Sequence, residues 1–152
     1  MTDVHTPAQR SHNMSRIRSG HTRPELIVRS LVHRMGGRFR LHGKSLPGKP
    51  DIVLPGRRKV IFVHGCFWHG HNCPKGRRPT SNVEFWNDKL DRNLERDRRS
   101  KALLEADGWK VLIIWECEVA EGWTLLRGRS ERMLDRVADQ CHRRGGVTAG
   151  EL

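Results

Sequence analysis

Asp51, His64, Cys66, His69, His71 and Cys73 lie within one 23-residue stretch and carry side chains able to act on a phosphodiester or to hold a metal. Asp51 follows Pro50 at the start of an apolar run, and His64 closes the apolar run that should be its hairpin partner, so both side chains can emerge on one edge of a sheet. A carboxylate that holds Mg²⁺ beside a phosphate, with an imidazole to accept or relay a proton, is a workable set for phosphodiester hydrolysis. Imidazole suits the base role because its ordinary pKa lies near neutrality, and Glu25 is a candidate supporting acid. A Pro-Asp pair is also common at turns, and some of the nine histidines will be incidental, so spacing alone leaves catalysis open.

Cys66, His71 and Cys73 sit on a segment, residues 65–80, that has two prolines and no apolar periodicity, so it should be a loop folded around something other than its own core. Cys117 lies just past the apolar run 109–115 and completes a Cys3His set. Zn²⁺ takes such tetrahedral sulfur and nitrogen donors, and a closed four-ligand site would pin the loop to the sheet edge. The alternative is a Cys66–Cys73 disulfide with Cys117 as a buried thiol, which the lack of a visible export signal disfavours. Cys141, on a helical stripe, reads as core.

Phe67 and Trp68 are flanked by these candidate ligands, and Trp86 follows one short segment later. Consecutive aromatics on a metal-tied loop can form a wedge that enters a base stack; equally, one of them could cover the zinc, and Trp86 by itself reads as core.

These groups need elements to position them. Thr22-Arg23-Pro24-Glu25 fits a capping box opening a helix that ends at Gly36-Gly37. Residues 38–42 alternate, 47–50 form a loop, 51–54 start a strand that turns at Pro55-Gly56, and 59–64 return as its partner. Ser81-Asn82-Val83-Glu84 is a second capping-box candidate, opening a helical stretch that reaches Asp107-Gly108, with or without a break. The run 109–115 predicts a strand buried on both faces, and a last helix is expected over 130–143. This order describes an α/β sandwich with a mixed sheet. Residues 1–20 read as a mobile arm in which only Met14 and Ile17 could dock, 21–143 as a single domain, and 144–152 as a frayed tail.

With 29 basic and 17 acidic residues the net charge is +12, which favours a polyanionic partner, and 22 of the bases are arginine. No apolar run approaches the roughly 20 residues a membrane helix needs, and no secretion signal is visible, so a cytoplasmic protein without membrane partners is expected.

The stretch from Val60 to Cys73, VIFVHGCFWHGHNC, resembles the signature of the very-short-patch repair (Vsr-type) mismatch endonucleases. The same family is suggested by residues 10–14, 46–51, 84–86, 93–97 and 111–117, so the resemblance spans about residues 5 to 117. It implies a restriction-endonuclease-like core, with a mixed central sheet flanked by helices and a zinc-stapled loop held by Cys66, His71, Cys73 and Cys117. It implies hydrolysis at Asp51 with His64, His69 and Glu25, with Mg²⁺ bound by Asp51 and the backbone carbonyl at Val63. His69 is then the candidate base and His64 the stabiliser of the phosphate or leaving group, although these roles could be exchanged. Phe67, Trp68 and Trp86 would wedge into the duplex from the major groove, while the arm with Met14 and Ile17 folds over the minor groove.

The implied activity is strand-specific nicking of duplex DNA beside the thymine of a T:G mispair left by deamination of 5-methylcytosine, in a bacterial, nucleoid-associated setting. Partners would be mismatch-repair proteins and a cognate cytosine-5 methyltransferase, and the enzyme would be a monomer, because a T:G site has no two-fold symmetry. Two departures stand out. The acid two residues before a lysine that completes the usual restriction motif reads Phe62-Val63-His64 here, and Val63 stands where some members have a hydroxyl residue. The alternatives are a zinc-stapled DNA-binding module without catalysis and a nuclease of unmispaired duplex sites.

Overall fold

A computed structural model describes residues 6–16, 20–34 and 36–119 of the chain. The expected helix over 130–143, Cys141, the tail and Ile17 lie outside the described residues.

Four strands form one mixed sheet in sequence order: β1 (Arg40–Leu41), β2 (Ile52–Leu54), β3 (Lys59–His64) and β4 (Lys110–Trp115). β1 and β3 pair with β2 antiparallel, and β4 pairs with β3 parallel. The β2–β3 hairpin turns through a 3-10 helix at Pro55–Arg57 and a left-handed Arg58. A parallel neighbour requires a long crossover, which the zinc-candidate loop and α3 (Val83–Ala106) provide. Because side chains alternate across a strand, Val53, Val60 and Phe62 form one apolar face, packed with Leu104 of α3 and with Trp109, Val111 and Ile113. Ile52, Leu54 and Ile61, also fully buried, point to the other face, where α2 (Arg23–Arg34) brings Val28 and Val32.

Local signals explain the helices with some corrections. α2 ends at a left-handed Gly36, whose N–H reaches the carbonyl of His33, while that of Gly37 reaches Val32 (both 2.9 Å), a C-terminal cap that satisfies the last carbonyls. At its start Glu25 does not close the expected box on Thr22. Its carboxylate instead takes the N–H of His21 and the hydroxyl of Thr22, because Arg29 Nη2 draws it inward at 2.9 Å. The box expected from Ser81 does not form either: Asn82 is the N-cap, in a left-handed conformation without a side-chain cap, and α3 then runs unbroken for 24 residues. Within the arm, α1 (Pro7–Ser15) is a helix that the sequence reading passed over; its signal was Thr6-x-x-Gln9, a true capping box with proline in the first turn. β4 is also less enclosed than expected. Only Ile114 in it is buried, since among the described strands it stands at the sheet edge with β3 as its single neighbour. No described helix is long and apolar enough to cross a membrane.

Candidate active site and metal centre

The parallel register sets up both sites. His64 pairs with Trp115, so the residues two positions further on, Cys66 and Cys117, leave the sheet at the same end. The Cys117 thiol lies 3.3 Å from His71 Nδ1, the Cys66 thiol lies 3.6 Å from the same atom, and the donor atoms of Cys66, His71, Cys73 and Cys117 all lie within 4.8 Å of one another. The three cysteines are free, so the disulfide alternative is not formed. Burial pushes the Cys66 thiol up to about 12. Burial also raises the Cys117 thiol, whereas at Cys73 burial is outweighed by hydrogen bonds from His71 and Cys66, which bring it down to about 7. A nearby cation would favour all three as thiolates, and a soft tetrahedral donor set of this kind suits a divalent transition metal. The loop closes so tightly around the cluster that a Cβ on Gly76 would fall 1.9 Å from the carbonyl oxygen of His71, which restricts this position to glycine.

Beside this cluster a cleft of about 950 Å³ is lined by Glu25, Asp51, Val63, His64, Trp68 and His69, by the α3 side chains Lys89, Asn93, Arg96 and Asp97, and by Met14 of α1. Asp51 sits one residue before β2 and accepts the Val63 N–H through Oδ2 at 2.7 Å. The N–H and C=O of one strand residue point the same way. The Val63 carbonyl therefore opens toward Asp51, past the start of β2. Burial raises the Asp51 pKa against that hydrogen bond, and the Glu25 carboxylate raises it further. Such a site favours a bound cation.

His64 and His69 stack with ring centroids 3.8 Å apart and planes within 9°. Asp97, which the sequence reading left unassigned, holds His69 Nδ1 at 2.5 Å. Its signal was its place on the inner face of α3, three residues after Leu94 and four after Asn93, which bonds the Trp68 carbonyl at 3.3 Å. The polar atoms of His64, His69 and Asp97 are close enough to suggest a second metal site. Stacked imidazoles, however, direct their in-plane lone pairs side by side rather than toward one point, so this trio suits proton transfer better than metal binding. Trp115, also unassigned from sequence, joins the two centres: its ring meets His64 edge-on at 5.3 Å and stacks on His71 at 4.3 Å.

Burial, with His69 adding to it against the opposing pull of Asp97, lowers the His64 pKa from 6.5 to about 4. The folded protein therefore holds His64 neutral at pH 7. Its contribution to stability is complete above pH 6.5 and is lost as pH falls toward 4, because the unfolded chain takes up the proton first. Urea melts at pH 7.5 and pH 5 should show wild type losing about 2 kcal/mol more than His64→Asn between the two conditions. Equal losses in the two proteins would contradict a buried neutral His64.

Phe67, Trp68 and Trp86 come together, with ring centroids 5.0 to 6.1 Å apart, and Lys89 Nζ lies over Trp68, Trp86 and Phe85 at 5.5 to 5.6 Å. Trp86 is buried, as expected of a core residue, yet it also belongs to this cluster, and Phe85, not singled out from sequence, is half exposed at its margin. Met14 is half-buried at the cleft.

A carboxylate beside an open carbonyl, a carboxylate-held imidazole and an aromatic group next to the same cleft define a hydrolytic site of the nuclease class. Residues 2–75 match the family described as DNA mismatch endonuclease Vsr. Over 135 residues the chain is 50% identical to "Type II nicking enzyme V.XorIIP" of Xanthomonas oryzae pv. oryzae, which covers 89% of this chain and 98% of that protein. It is 46% identical over 137 residues to "DNA mismatch endonuclease Vsr" of Escherichia coli, covering 90% of this chain and 83% of that protein. With "Type II nicking enzyme V.NmeAIP" of Neisseria meningitidis the identity is 43% over 139 residues, covering 91% and 99%. The chain belongs to the Vsr family of DNA mismatch endonucleases and is an endonuclease that acts on DNA.

Proposed function

We propose that the protein nicks one strand of duplex DNA beside the thymine of a T:G mispair arising from 5-methylcytosine deamination, and so initiates very-short-patch repair. The observation that carries this reading is that Asp51, the Val63 carbonyl, His64, His69 and Asp97 converge on one cleft, with Trp68 of the aromatic group lining its wall.

Asp51 and the Val63 carbonyl would hold Mg²⁺, both being hard oxygen donors of the kind that ion prefers. Valine serves there as well as a hydroxyl residue, because only the backbone oxygen is used. When bound, Mg²⁺ would polarise the non-bridging oxygens of the phosphate whose phosphorus is attacked. Asp97 holds His69 by Nδ1, which leaves Nε2 to take a proton from the attacking water. The water oxygen bonds to phosphorus, the bond from phosphorus to the leaving sugar oxygen breaks, and that oxygen is protonated from solvent. His64, kept neutral, donates an N–H to the phosphate or leaving oxygen. Glu25, fixed by Arg29, His21 and Thr22, supports the Asp51 side of the site. Cys66, His71, Cys73 and Cys117 would hold Zn²⁺ as a structural ion. Phe67, Trp68 and Trp86 would enter the base stack at the mispair, with Met14 and Ile17 on the opposite groove. A methyltransferase modifying the same sites and the mismatch-repair machinery are the expected partners, in a cytoplasmic, monomeric setting.

The test is a nicking assay with Mg²⁺ on labelled duplexes that carry one T:G mispair in a panel of cytosine-methyltransferase sites, beside matched T:A and C:G duplexes. Cutting confined to the T strand of mispaired duplexes is the expected result, and the preferred site identifies the methyltransferase. Equal cutting of every duplex would replace this reading with a nuclease of unmispaired sites. Binding without cutting by folded, zinc-loaded protein would favour the DNA-binding module.

A further inference from the structure

We propose that Lys49 contacts the substrate directly, its ammonium binding a non-bridging oxygen of the phosphate that is cut. The inference rests on the reading of the cleft as the site of DNA hydrolysis. Four carboxylates line that cleft, Glu25, Asp51, Asp97 and Glu116, so a polyanion can enter only against compensating positive charge. Three lysine or arginine side chains line it too. Lys89 lies over aromatic rings and Arg96 donates to Asn93 Oδ1 at 3.1 Å. Lys49 has no ion pair or side-chain hydrogen bond among the described residues, and it is exposed.

The backbone supports the same conclusion. Gly48 and Lys49 both have positive φ, +71° and +51°. For Gly48 the turn closed by Lys49 N–H onto the Leu46 carbonyl explains the φ, and packing explains the glycine, since a Cβ would fall 2.8 Å from Ser100 Cβ and 3.2 Å from Phe62 Cζ. Lys49 has no such reason. A left-handed conformation suits glycine or asparagine better than lysine, and a following proline further restricts the residue before it. Pro50 also lacks the N–H that could close a turn around the pair. The loop is nonetheless fixed from both sides: Lys49 N–H donates to Leu46 at 3.1 Å, Gly43 N–H to Pro50 at 2.9 Å and His42 N–H to Asp51 at 3.0 Å. Lys49 lies two residues from Asp51 with an exposed side chain that makes no ion pair or hydrogen bond among the described residues, and strained backbone positions cluster at functional sites. Charge builds on the phosphate oxygens as water attacks, so a fixed ammonium there favours the transition state over the bound ground state.

Single-turnover nicking at saturating enzyme separates this role from ordinary affinity. Lys49→Met should slow the saturated rate about a hundredfold while changing DNA affinity, measured by fluorescence anisotropy without Mg²⁺, by less than about threefold; Lys49→Arg should recover most of the rate. Lys49→Gly, which suits the backbone, should melt no lower than wild type and still nick as slowly as Lys49→Met. A full saturated rate in Lys49→Met overturns the proposal. So does weakened affinity with an unchanged saturated rate, which would place Lys49 against another phosphate, or a slow Lys49→Met paired with a fast Lys49→Gly, which would make the effect one of loop shape. If wild type itself cuts no duplex, the failure belongs to the proposed function instead.

Discussion

Replacing His69 by alanine is expected to lower the single-turnover rate of nicking roughly a thousandfold, within the range for loss of a positioned general base, while DNA affinity stays within a few-fold of wild type. The imidazole stacks on His64 and is aimed by its hydrogen bond to Asp97, Nδ1 to carboxylate at 2.5 Å, on a loop that lacks regular structure of its own. Asp97→Asn should therefore cost about a hundredfold, because an amide can favour the wrong ring tautomer while keeping its volume. The double variant should be no slower than His69→Ala alone, since residues acting as a unit are not additive. If Asp97→Asn slowed nicking equally in the His69→Ala background, the carboxylate would be acting independently of the imidazole. A His69→Ala protein that binds duplex DNA and nicks at the wild-type rate would remove His69 from the chemistry altogether.

Loss of the Cys3His metal is expected to have the largest effect on stability. Cys66, His71 and Cys73 belong to a loop with few buried apolar side chains, and Cys117 is the cluster's donor from beyond β4. Removing a structural metal belongs to the class of changes that cost about 4 kcal/mol or more, which for a chain of this size lowers the melting temperature by about 10 °C or more. Elemental analysis should find one zinc per chain in wild type and much less in Cys117→Ser, whose thermal melt should fall accordingly. Cys141→Ser, outside the donor set, should keep its zinc. Nicking should fall along with the metal, because Trp115 stacks on His71 on one side and meets His64 on the other, so a loosened loop disturbs the catalytic rings. A metal-free protein that melts with wild type and nicks normally would reduce the cluster to three free thiols and a histidine.

Much of this site was legible before any fold was known, because its parts are close in sequence. Asp51 after Pro50, His64 at the end of an apolar run, and Cys66, His71 and Cys73 in a segment unable to form a core are statements about neighbouring residues and their chemistry. The hairpin that joins Asp51 to Val63 was legible for the same reason: two apolar runs separated by a Pro-Gly turn have few other ways to pair. Cys117 could be suspected from its place just past an apolar run. Its meeting with His71, however, depends on the register of β3 with β4, which no local pattern encodes.

What escaped the sequence reading was whatever depended on which way a helix or strand faces its neighbours. Thr22 and Glu25 have the spacing of a capping box, but Arg29 takes the Glu25 carboxylate into a buried network. The run 109–115 has the composition of an enclosed strand and lies at the edge of the described sheet. Asp97 is one of many charges along α3, and only the packing of the loop against that helix, through Trp68 to Asn93 and His69 to Asp97, distinguishes it from its solvated neighbours. Residue types, short spacings and local turns thus made the candidate catalytic residues, the Cys66, His71 and Cys73 part of the candidate donor set and the hairpin legible, since each lies within a short stretch of chain. The tertiary structure decided the partner of His69, the union of Cys117 with the loop and the exposure of Lys49, since these arise where segments far apart in the chain are brought into contact by burial of a shared core.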